Sequence, residues 1–191
     1  MDPLVNAEWV LENLSDPSLR ILECSVDLVP GSTNPVSMRD KWAEGHIPNS
    51  DYVDLAHELS EPESPLRFTM PSERHFAKAM ESLGVGEGTK VVLYDRRFTM
   101  WATRVLWMLK AFGFDDCAVL DGGLRSWQSA GFQIDAGSAP SRPETKFKGT
   151  PRPEMVADLA RMEEALGDGT CVINALSPGN HDGSEEHYGR P

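Results

Sequence analysis

The stretch that decides the fold runs from Lys90 to Trp127, KVVLYDRRFTMWATRVLWMLKAFGFDDCAVLDGGLRSW. Its opening, Lys90–Tyr94, is apolar and β-branched, the composition of a strand buried on both faces. The polar run Asp95–Thr99 interrupts it. From there Trp101, Val105, Met108, Leu109 and Phe112 recur at helical spacing and stop at Gly113. Cys117–Leu120 reads as another short strand, and Asp121-Gly122-Gly123 leads into a short helix carrying Trp127. Strand, turn, helix and strand in that order predict an α/β fold with parallel strands. The turn then lies at the carboxyl end of its strand, where open parallel sheets place their ligand sites.

Working outward toward the N-terminus, Ser72 is a candidate cap for a helix with Phe76, Ala79, Met80 and Leu83 on one face, closed by Gly84. Residues 57–71 hold Pro62, Pro65 and Pro71 without a clear period and read as irregular. Tyr52–Leu55 and Arg20–Cys24 are strand candidates, and the Pro, Gly, Ser and Asn of Val26–Asp40 read as a surface loop. Asn6 fits the cap of a first helix that carries Val10, Leu11 and Leu14 and stops at Asp16-Pro17. On the C-terminal side, residues 136–153 read as a linker. Beyond it, Met155, Leu159, Met162 and Leu166 form a helical stripe, and Cys171–Ala175 resembles Arg20–Cys24. Helix, acidic turn and strand therefore occur twice, a weak internal repeat. A tail docked on the first domain is the competing reading.

The bulk properties narrow the function classes. The chain has 191 residues, 40% of them hydrophobic and 8% aromatic, enough for a real core. A formal charge of −12 makes nucleic acid and anionic membrane unsuitable partners, since phosphates are repelled. No apolar run approaches the ~20 residues of a membrane span, and the N-terminus shows no basic region followed by an apolar run. Three cysteines at scattered positions argue against a disulfide framework or a zinc site and for a reduced, cytoplasmic chain. No cofactor or metal is expected. His57 and His75 lack ligand partners at suitable spacing, and His181 and His187 flank Glu185 and Glu186 in what reads as a solvated acidic stretch.

Three separated motifs together resemble the rhodanese superfamily. Trp42-Ala43-Glu44-Gly45-His46-Ile47-Pro48-Asn49-Ser50 is similar to the family's G-H-I-P-G-A signature, with Asn49 where glycine is usual. Val91–Tyr94 and the loop after it correspond to the strand and loop that carry the family's active-site cysteine. Leu120-Asp121-Gly122-Gly123-Leu124-Arg125-Ser126-Trp127 is similar to its G-G-x-x-x-W segment. The resemblance covers roughly residues 4–135 and implies a three-layer α/β fold, a five-stranded parallel sheet flanked by helices. It extends to the first half of two-domain thiosulfate and 3-mercaptopyruvate sulfurtransferases, whose first domain is usually silent. The implied organisation is a domain over 1–135 without catalytic cysteine, a linker over 136–153, and the start of a truncated second domain over 154–191. Tyr188-Gly189-Arg190-Pro191 resembles the lead-in to a second G-H-I-P motif.

Rhodaneses carry sulfane sulfur on a cysteine thiolate whose pKa is lowered by a loop of backbone N–H groups. At the cysteine position this chain has Asp95, and the degenerate loop reads Asp95, Arg96, Arg97, Phe98, Thr99, Met100. A carboxylate neither accepts nor donates sulfane sulfur, so no residue is assigned a catalytic role. Arg96 and Arg97 are candidates for binding an anion beside the helix N-terminus; equally, one pairs with Asp95 and the other lies in solvent. Cys24 and Cys117 read as small buried hydrophobes and His46 as a hydrogen-bonding structural residue. Arginines that hold mercaptopyruvate in the family are missing from residues 176–189, which tilts the expected donor toward thiosulfate. Two readings follow. The first is the non-catalytic half of a sulfurtransferase, partnered in cis by a second rhodanese domain that holds the cysteine persulfide. The second is a rhodanese-homology module that binds a partner or an anion. Self-association through the C-terminal tail is a further expectation.

Overall fold

The computed structural model describes residues 1–28, 34–143 and 145–185. It divides into two units, Met1–Arg152 and Pro153–Pro191. In the first, the strands β1 (Leu4–Val5), β2 (Leu19–Glu23), β5 (Ser50–Tyr52), β6 (Lys90–Tyr94) and β7 (Cys117–Leu120) form a parallel sheet in the order β1-β7-β6-β2-β5. The helices are α1 (Ala7–Glu12), α2 (Arg39–Glu44), α3 (Glu73–Ser82), α4 (Met100–Ala111) and α5 (Gly123–Ser129). This is the five-stranded parallel α/β fold that the motifs imply.

Period-two alternation divides the central strands between two cores. Leu22, Cys24, Val91, Leu93, Cys117 and Val119 face one side, where they pack with Phe76, Met80, Val105, Met108 and Leu109 of α3 and α4. Leu19, Ile21, Val92, Tyr94, Ala118 and Leu120 face the other, with Val10 of α1 and Trp127 of α5. Burial on both faces explains why these strands read as continuous apolar runs. The two sequence-predicted caps are in place: Asn6 accepts the Trp9 N–H and Ser72 the His75 N–H.

Several boundaries differ from the sequence reading. The strand expected at Tyr52–Leu55 is Ser50–Tyr52, because its register follows Ile21, Leu22 and Glu23 of β2. Val26–Asp40 is not all loop: β3 (Val26–Asp27) and β4 (Val36–Ser37) pair antiparallel, and α2 begins at Arg39. Residues 145–152 belong with the first unit. Phe147 packs against Phe76 and Phe114, and Arg152 forks onto Asp115 at 2.7 and 2.6 Å.

The second unit holds a turn of 3-10 helix at Pro153–Met155, then α6 (Leu159–Ala165) and α7 (Pro178–Asp182). Cys171–Ala175, expected as a strand, has no strand pairing, and Ile173 is 82% exposed. A β-prone run needs a neighbouring ladder, and the described residues of this unit contain no other strand. Glu186, His187 and the lead-in Tyr188–Pro191 lie outside the described residues. No helix among the described residues is long and apolar enough to cross a membrane.

Phe76 is fully buried, stacked on Phe112 at 4.3 Å and met edge-on by Phe147. Phe76→Ala is expected to cost about 3–5 kcal/mol in urea unfolding. A loss below about 1 kcal/mol would mean that this core relaxes around the cavity.

Candidate functional site

The site is built where β2 and β6 end side by side. Their register sets Glu23 against Tyr94, so Cys24-Ser25 and Asp95-Arg96 leave the sheet together. Chain connections leave β2 and β6 in opposite directions across the sheet, toward β5 and β7, which makes this the crevice that parallel sheets use for ligands. Asp95 is 3% exposed there.

Its carboxylate is surrounded by main chain. Oδ1 accepts the N–H groups of Arg97, Phe98 and Thr99 at 3.0, 3.1 and 2.9 Å. Oδ2 accepts those of Trp101 and Ala102 at 3.1 and 3.3 Å. The loop achieves this curl with Thr99 in the left-handed region at φ 65°, directly before α4. Charge-assisted hydrogen bonds of this kind exceed neutral ones in strength, and the α4 N-terminus adds a favourable dipole.

The loop is fastened from three sides. The Arg96 N–H donates to Ser25 Oγ at 3.2 Å. Its guanidinium forks onto Glu23, with Nε to Oε1 at 2.5 Å and Nη2 to Oε2 at 3.1 Å, and Nη2 also reaches the carbonyls of Lys41 and Gly45. Glu23 is fully buried, so this is an internal ion pair. From the third side, Leu124 N–H donates to the Asp95 carbonyl at 3.0 Å. Gly123 permits that approach: it has φ 56°, and a Cβ there would lie 2.3 Å from the Asp95 oxygen. The Gly-Gly motif is therefore a backbone clearance for the loop.

The motif around His46 braces the same point. His46 stacks on Trp42 at 4.2 Å, donates from Nδ1–H to the Trp42 carbonyl and exchanges backbone hydrogen bonds with Asp135. Trp42 Nε1–H donates to Ser50 Oγ, which shares a hydrogen bond with the Tyr94 hydroxyl, and Ile47 N–H donates to the same hydroxyl. Burial first, and then Glu23, push the Tyr94 phenol well above its ordinary range, so it stays a neutral link. Asn49, standing where glycine is usual, has φ 61° and donates from its side chain to the Leu14 carbonyl. Asparagine tolerates this conformation better than most residues.

Arg96 and Arg97 thus part company. Arg96 is committed to Glu23, a carboxylate far upstream that loop composition alone does not reveal. Asp95 takes only backbone donors. Arg97 is exposed and, among the described residues, its side chain has no ion pair. It borders a pocket of about 120 Å³ with Ser25, Val26, Leu28, Phe98 and Trp101. Phe98 is 71% exposed, and Met100 is exposed beside it.

Of the remaining titratable groups, the histidines lie apart from the loop while Cys24 sits beside it. His57 contacts Asp54 at 3.0 Å, and His75 Nε2–H donates to the Glu58 carbonyl. Among the described residues no three acidic, His or Cys side chains converge on a metal position. Burial raises the Cys24 thiol well above its ordinary value, helped by Asp95 and Glu23, and pushes Cys117 up to about 11. Both stay protonated and unreactive near neutral pH.

A family model, the Rhodanese-like domain, matches residues 6–130. The chain is 30% identical over 187 residues to 3-mercaptopyruvate sulfurtransferase of Escherichia coli (strain K12), covering 98% of this chain and 65% of that protein. It is 36% identical over 154 residues to thiosulfate sulfurtransferase of Cricetulus griseus, covering 77% of this chain and 50% of that one. Among solved structures, SseA from Escherichia coli, described as having the "Rhodanese" fold, superimposes with a TM-score of 0.84 at 29% identity, over 100% of this chain and 72% of its own. Tum1 from Saccharomyces cerevisiae shares the fold at a TM-score of 0.80 and 19% identity. The chain therefore spans between half and two thirds of the length of these curated relatives.

Two outcomes follow from the geometry. Arg96→Ala leaves the buried Glu23 carboxylate without its cation and is expected to cost about 3–5 kcal/mol, read by urea unfolding. A thiol reagent at pH 7 should modify exposed Cys171 rapidly in the native chain, with Cys24 and Cys117 reacting only in denaturant. Fast native labelling of Cys24 or Cys117 would contradict their burial.

Proposed function

This chain belongs to the rhodanese-like family, and we propose that it serves as the non-catalytic N-terminal half of a two-domain sulfurtransferase. The observation that carries this reading is Asp95, a carboxylate held by five backbone N–H groups at the position of the family's nucleophile. In sulfur transfer a cysteine thiolate attacks the outer sulfur of thiosulfate, the S–S bond breaks and sulfite leaves, and the persulfide then gives its sulfur to cyanide or another thiol. A carboxylate oxygen cannot hold sulfur in this way, and its negative charge repels an anionic donor.

The reading assigns the persulfide to a second rhodanese domain in cis, of which residues 154–191 are the opening, with 1–135 as the silent domain and 136–153 as the join. Support comes from the sulfurtransferases among the relatives, of whose length this chain spans 65% and 50%, and from the pairing-free run Cys171–Ala175, which has the composition of a sheet strand. The donor class is a small sulfur-bearing anion, thiosulfate or 3-mercaptopyruvate, and the compartment is the cytoplasm. Self-association through the exposed Leu159, Leu166 and Ile173 of the second unit is part of the same proposal. A second reading, a module that binds a partner or anion, draws on exposed Phe98 and Met100 and on Arg97 at the loop.

With thiosulfate and cyanide this chain is expected to give no thiocyanate above background. Asp95→Cys should gain one transferable sulfur from thiosulfate, seen by mass spectrometry and released by cyanide, because the N–H groups that hold a carboxylate also favour a thiolate. Turnover by the unaltered chain that survives Cys24→Ser, Cys117→Ser and Cys171→Ser together would defeat the non-catalytic reading.

A further inference from the structure

We propose that the loop Asp95–Trp101 is a complete carboxylate-binding cradle whose occupant is the protein's own side chain, and that the emptied cradle takes a free small monocarboxylate. The inference rests on the cradle's geometry and stands whether or not the chain is half of a sulfurtransferase.

Three features carry it. First, the occupant is seen in place: five N–H donors divide between the two oxygens, three on Oδ1 and two on Oδ2. A carboxylate offers about four lone-pair sites, so these donors saturate it. No cationic side chain takes part, since Arg96 is committed to Glu23. The recognition is entirely by main-chain dipoles at the start of a 12-residue helix.

Second, the two ends of the loop are held by contacts independent of the occupant. Arg96 is tied through its backbone N–H to Ser25 and through its guanidinium to Glu23 and Gly45, and the Asp95 carbonyl is held by Leu124. The donor residues from Trp101 onward are fixed by α4, where Ala102 and Val105 are fully buried. Deleting the Asp95 carboxylate leaves these fastenings intact. The five N–H groups would then lose their shared acceptor, that of Ala102 in a fully buried position, which favours an anion that fits.

Third, there is open space beside the loop: a pocket of about 120 Å³ is lined by three of the donor residues, Arg97, Phe98 and Trp101, together with Ser25 and Asp27. Asp95 therefore keeps the loop permanently in its liganded shape and shuts out external anions.

Geometry also sets which ligand fits which vacancy. Asp95→Ala keeps Cβ and removes a group the size of formate; Asp95→Gly removes Cβ as well, leaving room for acetate. The experiment compares thermal unfolding of wild type, Asp95→Ala, Asp95→Gly and Asp95→Asn in sodium formate, acetate and chloride at equal ionic strength. Both truncations should melt below wild type. Formate should raise the Ala variant saturably by about 4 °C or more beyond chloride, and acetate should do the same for the Gly variant. Wild type and the Asn variant, whose sites remain filled, should respond to all three salts alike. If a truncated variant does not fold in chloride, its refolding yield in the matching carboxylate gives the same reading. The proposal fails if formate and acetate act on the truncated variants no differently from chloride, if they rescue wild type or Asp95→Asn equally, or if a misfolded variant recovers in neither salt.

Discussion

The first unit is organised around the carboxylate of Asp95 and its five N–H partners. A buried negative charge is tolerated only where its hydration is replaced, and here the replacement is backbone alone. That requirement fixes the loop's curl, the left-handed turn at Thr99 and the start of α4. It also brings distant segments to one place. Ser25 follows β2, Glu23 ends it, and Gly123 opens α5, yet each touches Asp95 or its neighbour. The motifs read separately in the sequence are the parts of one support.

Beside this anion sits a charge pair, Glu23 and Arg96. The two systems are kept apart, since the guanidinium turns toward Glu23 and the carbonyls of Lys41 and Gly45. Replacing buried ion pairs with apolar groups is often neutral for stability, so their presence argues for specificity of loop geometry. Arg96 couples the loop to the end of α2 and hence to the Trp42–His46 stack.

The parts of the structure that were legible in the sequence are those encoded locally. Lys90–Tyr94 and Cys117–Leu120 are β-branched runs long enough to declare themselves, and the caps at Asn6 and Ser72 depend on residues three positions away. The two-residue β1 carries no such pattern, because it exists only through its pairing with β7. The same holds for β3 and β4, hidden in a segment whose composition reads as loop. Cys171–Ala175 shows the converse, a strand-like composition without a partner ladder. At the site, the place of Asp95 directly after a strand was plain from the run Lys90–Tyr94, whereas the partner of Arg96 depends on the register of β2 against β6 and could be known only from the fold.

The sheet's margins have a consequence of another kind. Its edges are Leu4–Val5 on one side and Ser50–Tyr52 on the other, two and three residues long against four or five in the central strands. A foreign strand arriving at either edge meets only a few free rungs before the chain turns away into a helix or loop. Short edges are one of the ways sheet proteins avoid templated polymerisation. The first unit therefore keeps its longest ladders internal, and its hazard of cross-strand aggregation is low despite the apolar runs that build its centre.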